Sequence, residues 1–319
     1  MGGQMSVAIL ASEGLSLEAL LEAWGESCLS EMPLQLLAVA DNPSASVMYA
    51  GRPLFFQPLE AYDFGQTALL IVLESDLVVQ GYQSLLQGVK CPVLGFRADL
   101  QSLDVQMYTG GFPQQAVIGL PLPPVQALLQ VLQGNACEAL DLVLMYPAAL
   151  LGQAGIQELA SQAARLLNVQ AVEHKVFHKQ LAFNYYPLTE TQLGRELEQG
   201  LREDCRRLFA DAQTHLRTVQ MPVFHGVGMS VSAVLAEPVD IDALKEAWSA
   251  DGMIDFHEST EGLSNLDVVQ RDTLLTLGDV RLSEHDEYRL DFWLGFDEAK
   301  FGVGQNLISV AEILLKHHL

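Results

Sequence analysis

Residues 6–11, Ser-Val-Ala-Ile-Leu-Ala, form an apolar run with the length of a buried strand. A tight turn follows, and Leu15–Trp24 then carries apolar residues at the i, i+3, i+4 spacing of a helix. The same alternation continues in three further apolar runs and one further helical segment: Leu34–Ala40, Ala68–Leu73, Cys91–Phe96 and Leu77–Leu86. Short strands that alternate with helices are typical of parallel βαβ units. The first part of the chain is therefore predicted to be an α/β domain built on a parallel sheet.

The pattern changes after Pro121. Pro123 and Pro124 suit the first turn of a helix, which is predicted to run to Leu132 and to stop near Gly134. Helices are predicted at Ile156–Leu167, Leu201–Leu216 and Gly304–His318, and strands at Asp141–Tyr146, Val219–Phe224, Met229–Leu235 and Tyr288–Gly295. This larger part is predicted to be α+β with a mixed sheet, and its last helix is amphipathic.

The charge of the chain argues against several classes of partner. Its 319 residues include 17 basic and 40 acidic side chains, a net charge of −23, which repels nucleic-acid phosphates and anionic membrane surfaces. No apolar run approaches the ~20 residues of a membrane span, and Met1–Met5 has no basic segment of an export signal. Neither nucleic acid nor a membrane is expected as a partner, and the expected location is the cytoplasm. In the simpler interpretation, the charge only maintains solubility.

The cysteines and histidines predict no metal site. Cys28, Cys91, Cys137 and Cys205 are far apart and lack Cys-x-x-Cys spacing, which argues against both a zinc site and a disulfide framework. They are predicted to be reduced thiols in the core. The pair 317–318, His-His, is predicted to lie in a solvated tail, because adjacent residues on a helix do not face one way.

The turn after the first strand is poorly suited to a dinucleotide. Such a site uses glycines that let the backbone approach the pyrophosphate at a helix N-terminus. Here the turn contains a single glycine, Gly14, and Glu13 beside it would cost on the order of a few kcal/mol within ~4 Å of a phosphate. Asp41 is suited either to a ribose hydroxyl or to a strand-ending Asx turn, and the turn is preferred. Gly14 is interpreted as an ordinary turn residue whose cofactor contact is at most residual.

Three segments resemble the aspartate-semialdehyde dehydrogenase family. Leu181-Ala182-Phe183-Asn184 with Pro187 resembles its Ile-Ala-Phe-Asn-x-x-Pro segment. The stretch Met221–Ser232 resembles its Val-Pro-Val-Phe-x-Gly-His-Ser strand, and Gly302–Leu315 resembles its Gly-Ala-Ala-Leu-Asn helix. The order and spacing agree, and weaker similarity extends through the N-terminal βα unit. The chain is most similar in character to the divergent USG-1-type homologues of that family.

The resemblance implies both an architecture and a chemistry. It implies a Rossmann-like, NAD(P)-binding-type domain at residues 1–120, a larger α+β dimerisation domain at 121–300, and a C-terminal helix at 301–319 that packs on the first domain. The family oxidises aspartate semialdehyde reversibly with NADP and phosphate, through a thioester on a cysteine. Such chemistry needs a thiolate nucleophile and a nearby base. A homodimer is the partner that the resemblance implies.

The family's reactive residues are replaced at the matching positions of this sequence. Leu122 stands where the family has its nucleophilic cysteine, and a leucine cannot form a thioester. Pro147 stands at the active-site glutamine, Gln220 at the substrate-binding arginine and Val227 at the base histidine. Cys137, the nearest downstream thiol, lies beyond the predicted helix, over ~20 Å along it at 1.5 Å per residue. The resemblance therefore predicts no catalytic residue.

Further positions of the sequence match or adjoin family residues. The family's phosphate-side lysine falls at Gly200, and Glu198 matches its acidic partner. His225 is two residues before the expected base, so on a strand it would share the face of Val227; a structural, hydrogen-bonded histidine is preferred over a displaced base. Asn306 matches the asparagine near the nicotinamide, although capping of local backbone groups is the preferred role. Residues 251–261 are interpreted as a surface loop.

Three functions are compatible with this sequence. The preferred one is a dimeric homologue that has lost catalysis and acts as a non-catalytic or interaction protein, with no cofactor and a further protein partner left open. The alternative is an active NADP-dependent, phosphorylating semialdehyde dehydrogenase of amino-acid biosynthesis with a displaced active site. The third is a pocket retained for another small metabolite, and fold similarity alone does not decide among them.

Overall fold

The computed structural model describes residues 5–39, 46–109, 116–210, 212–259, 263–271 and 274–316. The strands are β1 Ser6–Leu10, β2 Leu34–Ala38, β3 Ser46–Tyr49, β4 Arg52–Pro58, β5 Thr67–Val72, β6 Val93–Phe96, β7 Gln106–Met107, β8 Val117–Leu120, β9 Cys137–Tyr146, β10 Tyr186–Pro187, β11 Gln213–Gln220, β12 Val227–Leu235, β13 Ile254–Phe256, β14 Leu275–Leu282 and β15 Arg289–Phe296. The α-helices are α1 Leu15–Glu26, α2 Asp76–Gly81, α3 Gln83–Gln87, α4 Pro123–Leu132, α5 Gly152–Leu167, α6 Gln192–Leu208, α7 Ile241–Ala250, α8 Asn265–Gln270 and α9 Leu307–Lys316. A π-helix, Glu298–Asn306, precedes α9.

The chain divides into two compact units, Met1–Leu122 with Gly302–Leu319, and Pro123–Phe301. The first unit is an eight-stranded sheet in the order β3-β4-β2-β1-β5-β6-β8-β7. All neighbouring strands are parallel except β3 and β4, which form an antiparallel hairpin. Parallel sheets are covered on both faces, and the central strands β1 and β5 are accordingly apolar and buried along their whole length.

Helices α1 and α9 cover part of this first sheet. The buried residues of α1 recur at helical spacing, with Leu17, Leu20, Leu21 and Trp24 facing inward. Helix α9 is buried through Leu307, Val310, Ala311, Leu314 and Leu315, and it contacts α1, β5 and β6. The last helix of the chain therefore belongs to the core of the first unit.

The second unit is a seven-stranded mixed sheet in the order β10-β11-β9-β12-β15-β14-β13. Strand β9 runs parallel to β11 and antiparallel to β12, which in turn pairs with β15 in antiparallel fashion. Buried and more exposed residues alternate along β9 and β12, so this sheet has one covered and one uncovered face. The predicted fold class, a parallel-sheet α/β domain with a larger α+β part, is confirmed.

The structure corrects the helix expected at Leu201–Leu216. Helix α6 ends at Leu208, where Phe209 leaves helical geometry with φ −121° and ψ 59°. Beyond it, Leu216, Thr218 and Gln220 are buried at every second position, which is the spacing of strand β11. The apolar residues of α6 and β11 therefore happen to follow one continuous helical spacing in the sequence, although they belong to two elements.

Other boundaries also differ from the expectations. The strand expected at Val219–Phe224 is the end of β11 and a turn, and the stretch 251–261 contains β13 within the expected loop. The helix expected from Gly304 starts as α-helix only at Leu307. Asp41, His317 and His318 lie outside the described residues. Among those that are described, no helix is long and apolar enough to cross a bilayer.

Candidate active site

Three of the family positions converge at one edge of the second sheet. Strands β9 and β11 are parallel and end side by side, with Tyr146 opposite Gln220. Strand β12 begins at the same edge. Because Gly228 of β12 is opposite Met145 of β9, Val227 lies beside Tyr146. On its other side, Val227 is opposite Phe296 of β15. We call Gln220, Tyr146, Val227 and Phe296 the cross-strand row. Residues directly opposite each other in a sheet point to the same face, and all four are at most 1% exposed.

Gln220 is committed to backbone hydrogen bonds. Its amide nitrogen Nε2 donates to the carbonyl oxygens of Tyr146, at 3.1 Å, and Pro147, at 2.9 Å. An amide nitrogen carries two hydrogens, so both are used within the protein. Gln220 therefore ties the end of β11 to the end of β9 and carries no charge for a substrate carboxylate.

Pro147 and Val227 contribute only apolar surface. Pro147 is buried and starts the turn after β9, in which Ala148 donates its N–H to Val223 O and Ala149 donates to Phe224 O. Val227 lies within the row between Tyr146 and Phe296. Neither side chain has a polar atom to accept a proton or orient a carbonyl.

His225 does not lie on the strand. Strand β12 begins at Val227, and His225 precedes it in a turn that contains Gly226 at φ +86°. Strand alternation therefore does not place His225 on the same face as Val227. Its side chain is partly exposed, and it does not have the hydrogen bond to a described residue that the preferred interpretation expected.

The turn at Gly226 needs a glycine. Asn265 Nδ2 donates to the carbonyl oxygen of Gly226 at 2.8 Å. A Cβ at position 226 would lie 2.5 Å from that nitrogen and 2.9 Å from Val269 Cγ2. The left-handed φ and the close contact with helix α8 both favour glycine here, so the start of β12 is fixed by packing.

The buried tyrosine of the row lies near a buried carboxyl, and sequence reasoning missed them as a pair. The hydroxyl of Tyr146 has no hydrogen-bond partner among the described residues. Glu298 lies two residues beyond Phe296, and burial raises its pKa to about 7, with the Asp297 charge adding to the effect. Burial, with the nearby Glu298 carboxyl as a second cause, raises the pKa of Tyr146 far above its ordinary value.

Glu198, at the family's acidic position, is hydrogen-bonded to one residue of its own helix α6 and to one residue of strand β11. It accepts hydrogen bonds from Arg202 Nη2 at 2.7 Å and from Thr218 Oγ1 at 3.0 Å. Arg202 also donates to Leu216 O at 2.7 Å. Gly200, on the same helix, is buried and has no side chain to offer a phosphate. The acidic residue therefore fixes helix α6 on β11.

In the first unit, carboxylates gather at the carboxyl ends of the parallel strands. The turn after β1 is held to the loop after β5, because Ser12 Oγ donates to Glu74 Oε1 at 2.6 Å and Leu73 N donates to Leu10 O. Asp99 follows β6, and burial raises its pKa to about 7, with the charges of Asp76 and Glu74 adding to the effect. This edge is the one at which parallel sheets bind nucleotides.

Comparison with known proteins agrees with this geometry. Residues 147–298 match the profile of the semialdehyde dehydrogenase dimerisation domain. The chain is 26% identical to the USG-1 protein homolog of Pseudomonas aeruginosa and 22% identical to aspartate-semialdehyde dehydrogenase 2 of Vibrio cholerae, in each case over 100% of both chains. This chain is a divergent aspartate-semialdehyde dehydrogenase-family protein. The crystal structure of aspartate semialdehyde dehydrogenase II of Vibrio cholerae, complexed with ASA, has the same fold, with a TM-score of 0.87 at 20% identity over 100% of both chains.

The family's cysteine position is also apolar in the structure. Leu122 lies between β8 and α4 and is buried. Cys137 is the first residue of β9, at the opposite end from Tyr146, so the two are separated by roughly 30 Å at ~3.3 Å per residue. Neither residue places a sulfur at the cross-strand row.

The thiols of this aspartate-semialdehyde dehydrogenase-family protein are not activated. Burial raises the pKa of Cys91 and Cys137 to about 11 and that of Cys205 to about 12. A hydrogen bond to Glu312 raises the pKa of the exposed Cys28. At neutral pH all four are therefore protonated thiols, whereas a catalytic cysteine is a thiolate.

The residues at the nucleotide edge do not fit the family's NADP. Gly14 caps α1 in extended geometry, and a Cβ there would meet no protein atom within 4 Å. Glu13 lies in the same turn, and Glu74 is bonded into it through Ser12. Negative charge beside a pyrophosphate is unfavourable. Asn306 is partly buried at the last position of the π-helix, directly before α9.

No metal site is found in the part of the chain that the structure describes. There, no group of three or more His, Cys, Asp or Glu side chains is arranged to hold an ion. Asp255, His257 and Arg271 do form a partly buried cluster, in which Arg271 Nη1 donates to Asp255 Oδ2 at 2.7 Å and His257 Nε2 lies 2.9 Å from the same oxygen. This cluster joins β13 to the end of α8 and is structural.

Proposed function

We propose that this chain is a non-catalytic homologue of the aspartate-semialdehyde dehydrogenases that acts as a dimeric scaffold or interaction protein. The cross-strand row is the observation that carries the proposal. At the positions where the family has a substrate-binding arginine and a base, Gln220 donates both amide hydrogens to the backbone, and Val227 stands in the buried row between Tyr146 and Phe296. No side chain of the row carries a positive charge for an anion or serves as a base at neutral pH.

The state of the thiols supports the same proposal. Formation of a thioester begins with attack by a thiolate. Each of the four cysteines has a raised pKa, and the one at the start of β9 is at the far end of the strand from the row. The free thiols also agree with a reducing compartment, and we propose the cytoplasm as the location.

The purified chain is expected not to turn over aspartate semialdehyde with NADP and phosphate. Loss of an activated nucleophile alone lowers kcat by a factor on the order of 10⁴–10⁶, so the rate should be indistinguishable from background. The measurement is NADPH absorbance, with aspartate-semialdehyde dehydrogenase 2 of Vibrio cholerae as the positive control. A rate that a single substitution in the row abolishes would contradict the proposal.

The names of several relatives favour the alternative of an active dehydrogenase with a displaced site. An alkylating agent distinguishes the two functions, because a displaced active site of this chemistry still requires a reactive cysteine. Iodoacetamide is expected to modify Cys28, which is the exposed thiol. This modification should leave the measured rate of aspartate-semialdehyde turnover at background, as it is before alkylation. Inactivation by alkylation, with protection by NADP, would establish the alternative.

A second copy of the chain is the partner that we propose for the uncovered face of the second sheet. Val143, Ser230 and Trp293 are opposite one another on β9, β12 and β15. They are three residues from the members of the cross-strand row on each strand, so they point to the other face. Val143 is 40% exposed, which leaves apolar surface uncovered at the centre of a sheet. The matched family profile is that of a dimerisation domain.

Charge on this face is expected to separate the two copies. Sedimentation velocity at micromolar concentration should give a dimer of wild-type chains, and Val143→Glu should give monomers, because a like charge on each copy opposes an isologous contact. Ser283→Glu, just after β14, is the control and should leave the dimer intact. A wild-type monomer would remove the dimer from the proposal.

A further inference from the structure

A large cavity lies at the amino-terminal edge of the first sheet. It has a volume of about 760 Å³ and is lined by residues that precede or begin β1, β5 and β6, by residues of α3 and the turn after it, and by Leu315 of α9. Parallel strands begin at this edge, so it is opposite to the edge that carries Ser12, Glu74 and Asp99. Sites for small ligands in proteins have volumes of roughly 300–1,000 Å³, and this cavity is within that range.

The walls of the cavity are mostly apolar and include two aromatic rings. The rings of Tyr62 and Phe64 meet edge to face, with centroids 4.9 Å apart and an angle of 89°. Tyr62 Oη and Thr67 Oγ1 are hydrogen-bonded at 3.1 Å, which pairs the two hydroxyls and fixes the tyrosine ring. Leu85, Val89 and Leu315 add aliphatic surface. Because these polar wall atoms are already paired, the interior favours an apolar body.

One cation lies at the rim. Lys90 lines the cavity, is exposed, and makes no ion pair with a described residue. The rim carboxylate, Asp63, accepts a hydrogen bond from Gly65 N at 2.9 Å, so it is held in its own turn. In a chain with 40 acidic and 17 basic side chains, such a lysine at the mouth of an apolar cavity provides a place for a negative charge.

We propose that this cavity binds a small amphipathic monocarboxylate, with its apolar body between Tyr62, Phe64 and Leu315 and its carboxylate at Lys90. A molecule of this class has an apolar body that suits the walls and a negative charge that suits the lysine at the rim. The proposal is independent of catalysis, since the cavity lies at the edge opposite to the nucleotide edge and contains none of the family positions.

Isothermal titration with decanoate, below its micelle concentration, tests the proposal on the full-length chain. Wild type is expected to bind one decanoate per chain and to bind decanol several-fold more weakly. Lys90→Gln is expected to weaken decanoate binding about fivefold, the upper end for an exposed ion pair, and to leave decanol binding unchanged. Lys245→Gln, in the second unit, is the charge-matched control and should have no effect.

A second variant fills the space. Ser84→Trp places an indole at an exposed position that lines the cavity, whereas Gln87→Trp places it at an exposed position of the same helix that does not. Ser84→Trp is expected to abolish binding of both ligands, with Gln87→Trp behaving as wild type. No saturable binding by wild type, or equal binding by the Ser84→Trp variant, would overturn the site. Equal binding of decanol and decanoate by wild type would overturn the carboxylate class.

Discussion

Glu298→Gln is expected to raise the free energy of unfolding by about 3 kcal/mol at alkaline pH and to leave it nearly unchanged in mild acid, below the ordinary pKa of a glutamate. The folded-state pKa of Glu298 is about 7, against an ordinary value of 4.5. A pKa change of one corresponds to about 1.36 kcal/mol, so the change from 4.5 to about 7 gives roughly 3 kcal/mol. Chemical unfolding followed by tryptophan fluorescence on both sides of this range measures the effect.

The effect arises because the folded and unfolded chains hold this proton over different pH ranges. Below pH 4.5 the carboxyl is protonated in both states, and the stability is fully present. Between 4.5 and about 7 the unfolded chain releases the proton while the folded chain keeps it, so stability falls as the pH rises. Gln cannot ionise and removes this loss. Glu258→Gln, whose side chain is 78% exposed, is the control; a pH dependence in the Glu298→Gln variant equal to that of wild type would contradict the buried carboxyl.

Asp99 places a similar buried carboxyl in the first unit. Its pKa is raised to about 7 by burial and by the charges of Asp76 and Glu74. In the second unit, Glu298 has the same raised pKa next to the cross-strand row. Both carboxyls cost stability above neutral pH.

Much of the fold is predictable from local patterns. The parallel sheet of the first unit is indicated by the apolar strand at residues 6–11 and by the helical spacing of Leu15–Trp24. A central parallel strand is apolar on both faces, whereas the helix that packs on it is apolar on one face only. The helix expected at Leu201–Leu216 is wrong, because α6 ends at Leu208 and β11 begins at Gln213. Apolar periodicity does not locate the boundary between a helix and a strand where the same apolar residue fits both the helical and the strand spacing.

The site is predictable only in part. The resemblance gives the positions Gln220 and Val227, and the strand pairing places them in one row. It gives no signal for Glu298, since a single glutamate near the end of a strand resembles a surface residue until the π-helix buries its carboxyl. Nor does it give the cavity at Lys90, whose lining residues come from segments far apart in the chain.

Gln220→Glu is expected to destabilise the protein by about 3–5 kcal/mol at mildly alkaline pH, the cost of a buried charge left without a partner. The substitution keeps the shape of the side chain and exchanges the amide NH₂ for an oxygen. The two hydrogen bonds to the carbonyl oxygens of Tyr146 and Pro147 are lost, and a carboxylate then faces two acceptors at a position that is 1% exposed. The loss should be smaller in mild acid, because the glutamate can then be protonated.

Gln213→Glu is the matched control, since it makes the same change at the exposed first residue of β11. It should alter the free energy of unfolding by less than about 0.5 kcal/mol. The comparison separates two roles for the arginine position of the family. If Gln220 were kept to hold a ligand, Gln220→Glu would change ligand binding while leaving urea unfolding close to that of Gln213→Glu. If it ties β11 to β9, as its two hydrogen bonds indicate, the unfolding midpoint moves, and the row is a structural element that joins the ends of these strands.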